Sequence, residues 1–404
     1  MKRLLSFLTL ILILFSAVPT MANEQEMRAV WFSYEDYAAQ LGSLSQAEFE
    51  IKANEICKNI KSAGLNTIIF HVRAFSDAFY NSSYFQYSRY VYGQAGLAPE
   101  YDPLSLMCSI AHANGLDIHA WINPYRIGNS NTVTENSVAY SWKNTYGDER
   151  VCEVNGAWYY NPASEHVIEY IVEGVREIVK GYDVDGIHFD DYFYPTADES
   201  FDKASYEASK TALTLNEWRI ENINLLIKKT YDSIKEIDTT VVFGISPNAD
   251  IEKNYSAYFA DVKKWATEQG YVDYLTPQIY FGYKNSTMPF ESVLEQWSNL
   301  CTVPNLYVGI AAYKAGKEDK WAGDGKTEWL DNSNMCARQI ADIRNCPNAK
   351  GFMLFCYSPV WGNNATENAK AELTAVKALL TGETNNNSGV LDAFIDILKA
   401  LFNI

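Results

Sequence analysis

The chain has 404 residues and carries 50 acidic side chains against 33 basic ones, a net charge of -17 at pH 7. Such acidity argues against nucleic acid and against an anionic membrane surface as partners. The length suits an α/β barrel with inserted loops. Seven cysteines without a C-x-x-C pair form neither a thiolate cluster nor a disulfide framework, and Cys336 with Cys346 is the candidate bridge.

Residues 1–22 combine a basic start at Lys2 and Arg3, an apolar run from Leu4 to Val18 and a small residue at Ala22. That pattern is a secretory signal peptide, so the mature protein is expected outside the cytoplasm, secreted or associated with the cell wall. No later stretch is apolar for the roughly 18 residues that a membrane span needs.

From Arg28 onward short β-rich runs alternate with amphipathic patterns. The predicted strands are 28–34, 66–73, 116–123, 185–191, 241–247, 272–281, 306–313 and 350–358. Eight strands separated by helices predict a (β/α)8 TIM barrel over residues 23–381. Ser45 with Glu48 and Thr214 with Glu217 fit capping boxes, and Asp102-Pro103 and Asn161-Pro162 each place a capping side chain before proline at a helix start. Helix-to-strand connections are short, whereas 126–161, 192–213 and 314–332 are long βα loops, the kind that build the active face of such barrels. Inside the first of them Asn155-Gly156 predicts a hairpin. A polar linker (382–389) and an amphipathic helix (390–404) close the chain.

Side chains alternate along a strand, so one parity of each barrel strand faces inward. On the parity of Asp190 lie Trp31, Ser33 and then Glu35 from the first strand, His71 and Arg73 from the second, and His119, Trp121 and Asn123 from the third. His188 follows on Asp190's own strand, Ser246 and Asn248 on the fifth, and Gln278 and Tyr280 on the sixth. A purely structural barrel would fill these positions with aliphatic residues, so the pattern predicts a site at the mouth. Asp190 and Asp191 are adjacent in "DVDGIHFDDYFYP" (183–195), and two carboxylates this close raise the pKa of one of them. His188 is expected to orient Asp190, while Arg73 either neutralises the aspartates or meets substrate. Trp121, Tyr125, Tyr192, Tyr280 and Trp361 are candidate platforms for sugar rings. No dinucleotide, P-loop or serine-nucleophile motif is present, and no cofactor is expected. A cation held by His188, Asp190 and Asp191 with His71 or His119 is a weaker alternative, since no H-x-x-x-H or H-E-x-x-H spacing supports it.

The stretches "VRAFSDAFYNSSYF" (72–85), "HAWINPYR" (119–126), "DDYFYP" (190–195), "FGISPNAD" (243–250) and "GYVDYLTPQIYFGY" (270–283) resemble the glycosyl-hydrolase-like family ten, a group of bacterial TIM-barrel proteins. The resemblance implies a glycoside hydrolase with a polysaccharide substrate, peptidoglycan glycan strands stripped of peptide being one candidate. It adds Arg126 to the substrate-binding set. Ala74 stands where the family pattern has proline and Ser76 where it has glycine. The expected chemistry is carboxylate acid/base cleavage of a glycosidic bond. Asp190 is the expected nucleophile or base, Asp191 the acid or a tuning group, and Glu35 and Asp77 are alternative partners. A non-catalytic glycan-binding barrel and a metal-dependent hydrolase are the rival functions.

Overall fold

The computed structural model describes residues 26–383. The expected signal peptide (1–22), the linker beyond Glu383 and the tail helix (390–404) lie outside the described residues. In chain order the strands are β1 (Met27–Phe32), β2 (Thr67–Arg73), β3 (Asp117–Ile122), β4 (Arg126–Asn129), β5 (Val151–Val154), β6 (Ala157–Tyr160), β7 (Gly186–Phe189), β8 (Val242–Ile245), β9 (Tyr274–Leu275), β10 (Asn305–Ile310) and β11 (Ala349–Leu354). Eight of them, β1–β3 and β7–β11, form a closed barrel in which sequence neighbours pair in parallel and β11 returns to β1. The other three make a small antiparallel sheet inserted after β3. Among the described residues no helix is long and apolar enough to cross a membrane.

A helical segment follows every barrel strand: Gln46–Ser62, Pro103–Ala113, Glu165–Gly181, Leu215–Ile237, the pair Ile251–Ala257 and Val262–Thr267, Phe290–Leu300, Met335–Asn345 and Glu367–Thr381. The capping boxes form at Ser45 and Thr214, and Asp102 caps the helix that opens with Pro103. Asn161-Pro162 starts no helix. Its side-chain oxygen accepts from the Ala163 N–H and closes a turn, and the helix begins after Ser164. Between β5 and β6 both Asn155 (φ 51) and Gly156 (φ 78) are left-handed, as a two-residue hairpin requires.

Every barrel strand is shorter than its sequence pattern, and for two of them the reason is local. Ser33 leaves β1 to cap a short helix, Tyr34–Gln40, with Asp36 returning the bond in a further capping box. Just beyond β9, Pro277 has no N–H to give. The ladder stops at Leu275 and resumes only as single bridges from Gln278 to Asn248 and Gly309.

Parity divides the core in two. Val30, Phe70, Ile118, Phe189, Phe243 and Val308 face the helices, whereas Ala29, Trp31, Ile69, Trp121, Tyr274, Tyr307 and Met353 fill the barrel. All seven cysteines are unpaired, so the expected bridge between Cys336 and Cys346 does not form. They stand at opposite ends of the helix Met335–Asn345, about 15 Å apart at 1.5 Å per residue, beyond the reach of a disulfide.

Candidate active site

Inside the barrel the polar residues fall into two layers. In the lower one, Trp31 Nε1 donates to His188 Nε2 at 3.2 Å, and His188 Nδ1 and His119 Nδ1 each lie 2.9 Å from Tyr274 Oη. An indole only donates, so His188 accepts at Nε2 and carries its proton on Nδ1. That proton points at Tyr274, whose hydroxyl proton points at His119. Burial pushes His119 down to about 4 and His188 well below the usual imidazole range. Two glycines make room for these rings. A Cβ on Gly186 would lie 2.7 Å from the His119 ring, and one on Gly244 2.0 Å from that of Tyr274.

The upper layer opens on a cavity of about 450 Å³ at the C-terminal ends of the strands. Asp190 is only 3 % exposed. Its Oδ2 accepts from Trp121 Nε1 and its Oδ1 from the Tyr192 N–H, both at 3.2 Å. Asp191 accepts from Gln278 Nε2 at 3.2 Å and is also hydrogen-bonded by Asn248. Burial holds both carboxyls above the usual carboxylate range, Asp190 well above it, and the charge of Asp191 pushes Asp190 further in the same direction. Trp121 lies flat on His71, with ring centres 3.7 Å apart. The Tyr34 N–H donates to His71 Nδ1 at 3.3 Å, so His71 Nε2 carries the proton and donates to Asn123 Oδ1 at 3.1 Å. Burial pushes His71 down to about 3. It is a neutral prop for Trp121, not a base.

Of the remaining expected residues, Trp31, Glu35, Asn123, Arg126, Tyr192, Gln278 and Tyr280 all line the cavity. Glu35 is exposed on the rim and accepts from Tyr34 Oη at 3.2 Å. Asn248 stands behind Asp191 and reaches the site through it.

Six expectations are corrected. His188 and His119 belong to the lower layer, and His188 spends both nitrogens there, so Trp121 and not His188 holds Asp190. A β-bulge skips Val72, and Arg73 pairs with outward-facing Ile122. Its guanidinium therefore leaves the barrel, stacks 3.8 Å over Phe85 and fills the space left by Gly174. Asp77 lines a neighbouring cavity, where burial pushes it up to about 6 against the opposing hydrogen bond from Ser88. Tyr125 is buried between strands and helices. Trp361 rides the short helix Tyr357–Trp361 and stacks on Tyr357, 5.0 Å away, clear of the mouth. Among the described residues no group of three or more His, Cys, Asp and Glu is placed to hold a metal ion.

Ser33 and Ser246, on the inward parity, line the cavity too, while Tyr34, Tyr313, Phe355 and Cys356 line it without having been marked by the sequence pattern. The inward parity of Tyr307 and Met353 extends to Tyr313 and Phe355, so a signal for those two existed on β10 and β11.

A family model described as Glycosyl hydrolase-like 10 matches residues 26–324. Glycosyl hydrolase YngK of Bacillus subtilis is 34 % identical over 376 residues, covering 84 % of this chain and 70 % of that protein. Glycosyl hydrolase DigH of Escherichia coli K12 is 31 % identical over 334 residues, covering 74 % and 73 %. Among solved structures, the glycoside hydrolase domain of PgaB from Bordetella bronchiseptica superposes with a TM-score of 0.57 over 89 % of this chain and 99 % of that one, at 10 % identity, a likeness of fold.

Proposed function

The chain belongs to the glycosyl hydrolase-like 10 family, and from that premise we propose that it cleaves O-glycosidic bonds in a polysaccharide by carboxylate acid/base catalysis. The observation that carries the reading is the pair Asp190 and Asp191, sunk at the end of β7 and facing a 450 Å³ cavity walled by aromatic rings. Burial and mutual repulsion keep a proton on this pair where an ordinary carboxylate has lost its own. The two titrate as a unit, so the pair, and not either residue alone, is the proton donor.

In the proposed step that proton passes to the glycosidic oxygen, the bond from it to the anomeric carbon breaks, and the developing positive charge falls on the sugar ring. Glu35 is the candidate for the opposing carboxylate. It follows β1, three strands from β7 around the ring, and borders the same cavity. There it takes a proton from the water that attacks the anomeric carbon. Tyr192 and Tyr280 offer apolar ring faces to the sugar.

Peptidoglycan glycan strands are the substrate suggested by the family resemblance, and residues 1–22 support export to where such polymers lie. A reducing-end assay on a panel of polysaccharides, including peptidoglycan glycans freed of peptide, tests the reading. Release of new reducing ends from one of them is the expected result. Saturable binding with no cleavage would instead make the protein a glycan-binding barrel.

A further inference from the structure

The carboxyl pair stands on a stretch with no regular structure of its own, since residues 190–198 form neither helix nor strand. Within it the Phe193 N–H donates to the Asp191 carbonyl and the Tyr192 N–H to the Asp190 side chain. A loop so built takes its shape from what grips it.

The grip comes from Arg219, on the helix Leu215–Ile237. Its Nε donates to both carboxylate oxygens of Asp202 at 3.0 Å, Nη1 to the Ala197 carbonyl at 3.2 Å and Nη2 to the Asp198 carbonyl at 2.7 Å. Both partners of the ion pair are wholly buried. The far end of the loop is thereby gathered onto one rigid plane. Above that plane lie two rings: the guanidinium carbon is 5.3 Å from the centre of Tyr194 and 4.9 Å from that of Phe259, and the rings meet edge to face at 5.1 Å.

Tyr194 belongs to the loop after β7, but Phe259 comes from the segment after β8. Phe259 is buried with φ 53, a left-handed backbone that a residue with a bulky side chain avoids unless its surroundings hold it there. Its neighbour Ala260 donates to the Asn254 carbonyl, and the Asn254 side chain binds both the N–H and the carbonyl of Asn248, at 3.2 and 2.7 Å. Asn248 Oδ1 takes the Asp250 N–H at 3.0 Å, which leaves its amide N–H for Asp191. Arg219 is thus linked to Asp191 from two directions, along the loop that carries it and through the segment that supplies its donor.

We propose that Arg219 and Asp202 are positioning residues, which fasten the loop after β7 to the segment after β8 so that Asp191 stays within reach of Asn248 while Asp190 faces the cavity. This rests on the hydrolase reading above. Neither residue lines the cavity, so both act through the loop and not on the sugar. An ion pair without solvent gains little over well-packed apolar side chains, and its contribution here is a fixed geometry.

The test exploits that balance. The double variant Arg219→Met with Asp202→Leu removes both charges together, so its melting temperature should stay near that of the wild type. Amide hydrogen exchange over residues 190–198 should nevertheless quicken by about tenfold or more, with the barrel helices unchanged. On the cleaved glycan kcat should fall by about tenfold or more, with a smaller rise in KM, and Arg219→Lys should lose less than the double variant. Unchanged exchange, or faster exchange with wild-type kcat, would overturn the proposal. So would a change confined to KM, which would leave the pair serving only the ring of Tyr192. Should the double variant not fold, Arg219→Lys is read by the same two measurements with the same criteria. A wild-type chain that cleaves no glycan would sink the hydrolase reading, and exchange alone would then decide whether the pair fixes this loop.

Discussion

The two polar layers of the barrel both point inward and both contain histidine and aromatic side chains, yet they differ in what their hydrogen bonds leave over. In the lower layer Trp31, His188, Tyr274 and His119 satisfy one another. In the upper layer Asp190 and Asp191 receive N–H donors on one side and face empty space on the other. Inward polarity in a barrel therefore marks a site only where bonding capacity is left open to a cavity. A closed network of inward polar side chains is core.

The largest effect that would test the contrast is on turnover. Asp190→Asn keeps shape and the Trp121 contact but removes the proton, so kcat on the cleaved glycan should fall by about 100-fold or more while the fold persists. Near-normal hydrolysis would erase the distinction between the layers. Tyr274→Phe strikes the lower layer and leaves His188 and His119 each short of a partner. A stability loss of about 1–3 kcal/mol in chemical denaturation, with turnover close to wild type, is expected. A collapse in turnover at unchanged stability would move that layer into the site.

Smaller effects sharpen the contrast. Trp121→Phe keeps a ring over His71 but deletes the N–H that favours the charged form of Asp190. The pair should then hold its proton to higher pH, and the alkaline limb of the pH–rate profile should move upward, on the order of one unit. An acidward shift would mean that another group sets that limb. The smallest is thermodynamic. A carboxyl whose pKa is raised on folding costs stability as pH climbs from its unfolded value, about 3.9, toward its folded one. Asn does not titrate, so Asp190→Asn should be the more stable protein at neutral pH, with the gap closing below about pH 4. Equal melting temperatures across that range would show that the pair stores no repulsion.

The strand sequence, the βα alternation and the double aspartate were legible because each follows from local chemistry: period-two patterning, caps, and two like charges after an apolar run. Parity located Trp121, Gln278 and Tyr280 correctly. It misplaced Arg73, because a bulge at Val72 adds a residue that no pattern in "HVRAF" announces. It also gave direction without depth. His119 and His188 do face inward, but how far below the mouth they lie depends on strand stagger and on the hollows at Gly186 and Gly244, which appear only once neighbouring strands are paired. Tyr125 and Trp361 are rings beside motifs, and a ring in sequence carries no sign of which side of the sheet it joins. Arg126 lies within a recognisable motif, but its stacking on Phe75, 51 positions before it, and Tyr192, 66 after it, is made only by folding.

The hydrogen bonds of the lower layer all run one way, from Trp31 through His188 and Tyr274 to His119, because an indole nitrogen has no lone pair with which to accept. Reversing the row would require that nitrogen to take a proton, so the row conducts none. The barrel floor is thus an electrical insulator for protons beneath the aspartates. In the reaction proposed above, each proton the pair gave up would be replaced from solvent through the open mouth, the same door by which a cleaved sugar would leave, so recharging of the carboxylates would wait on the departure of product.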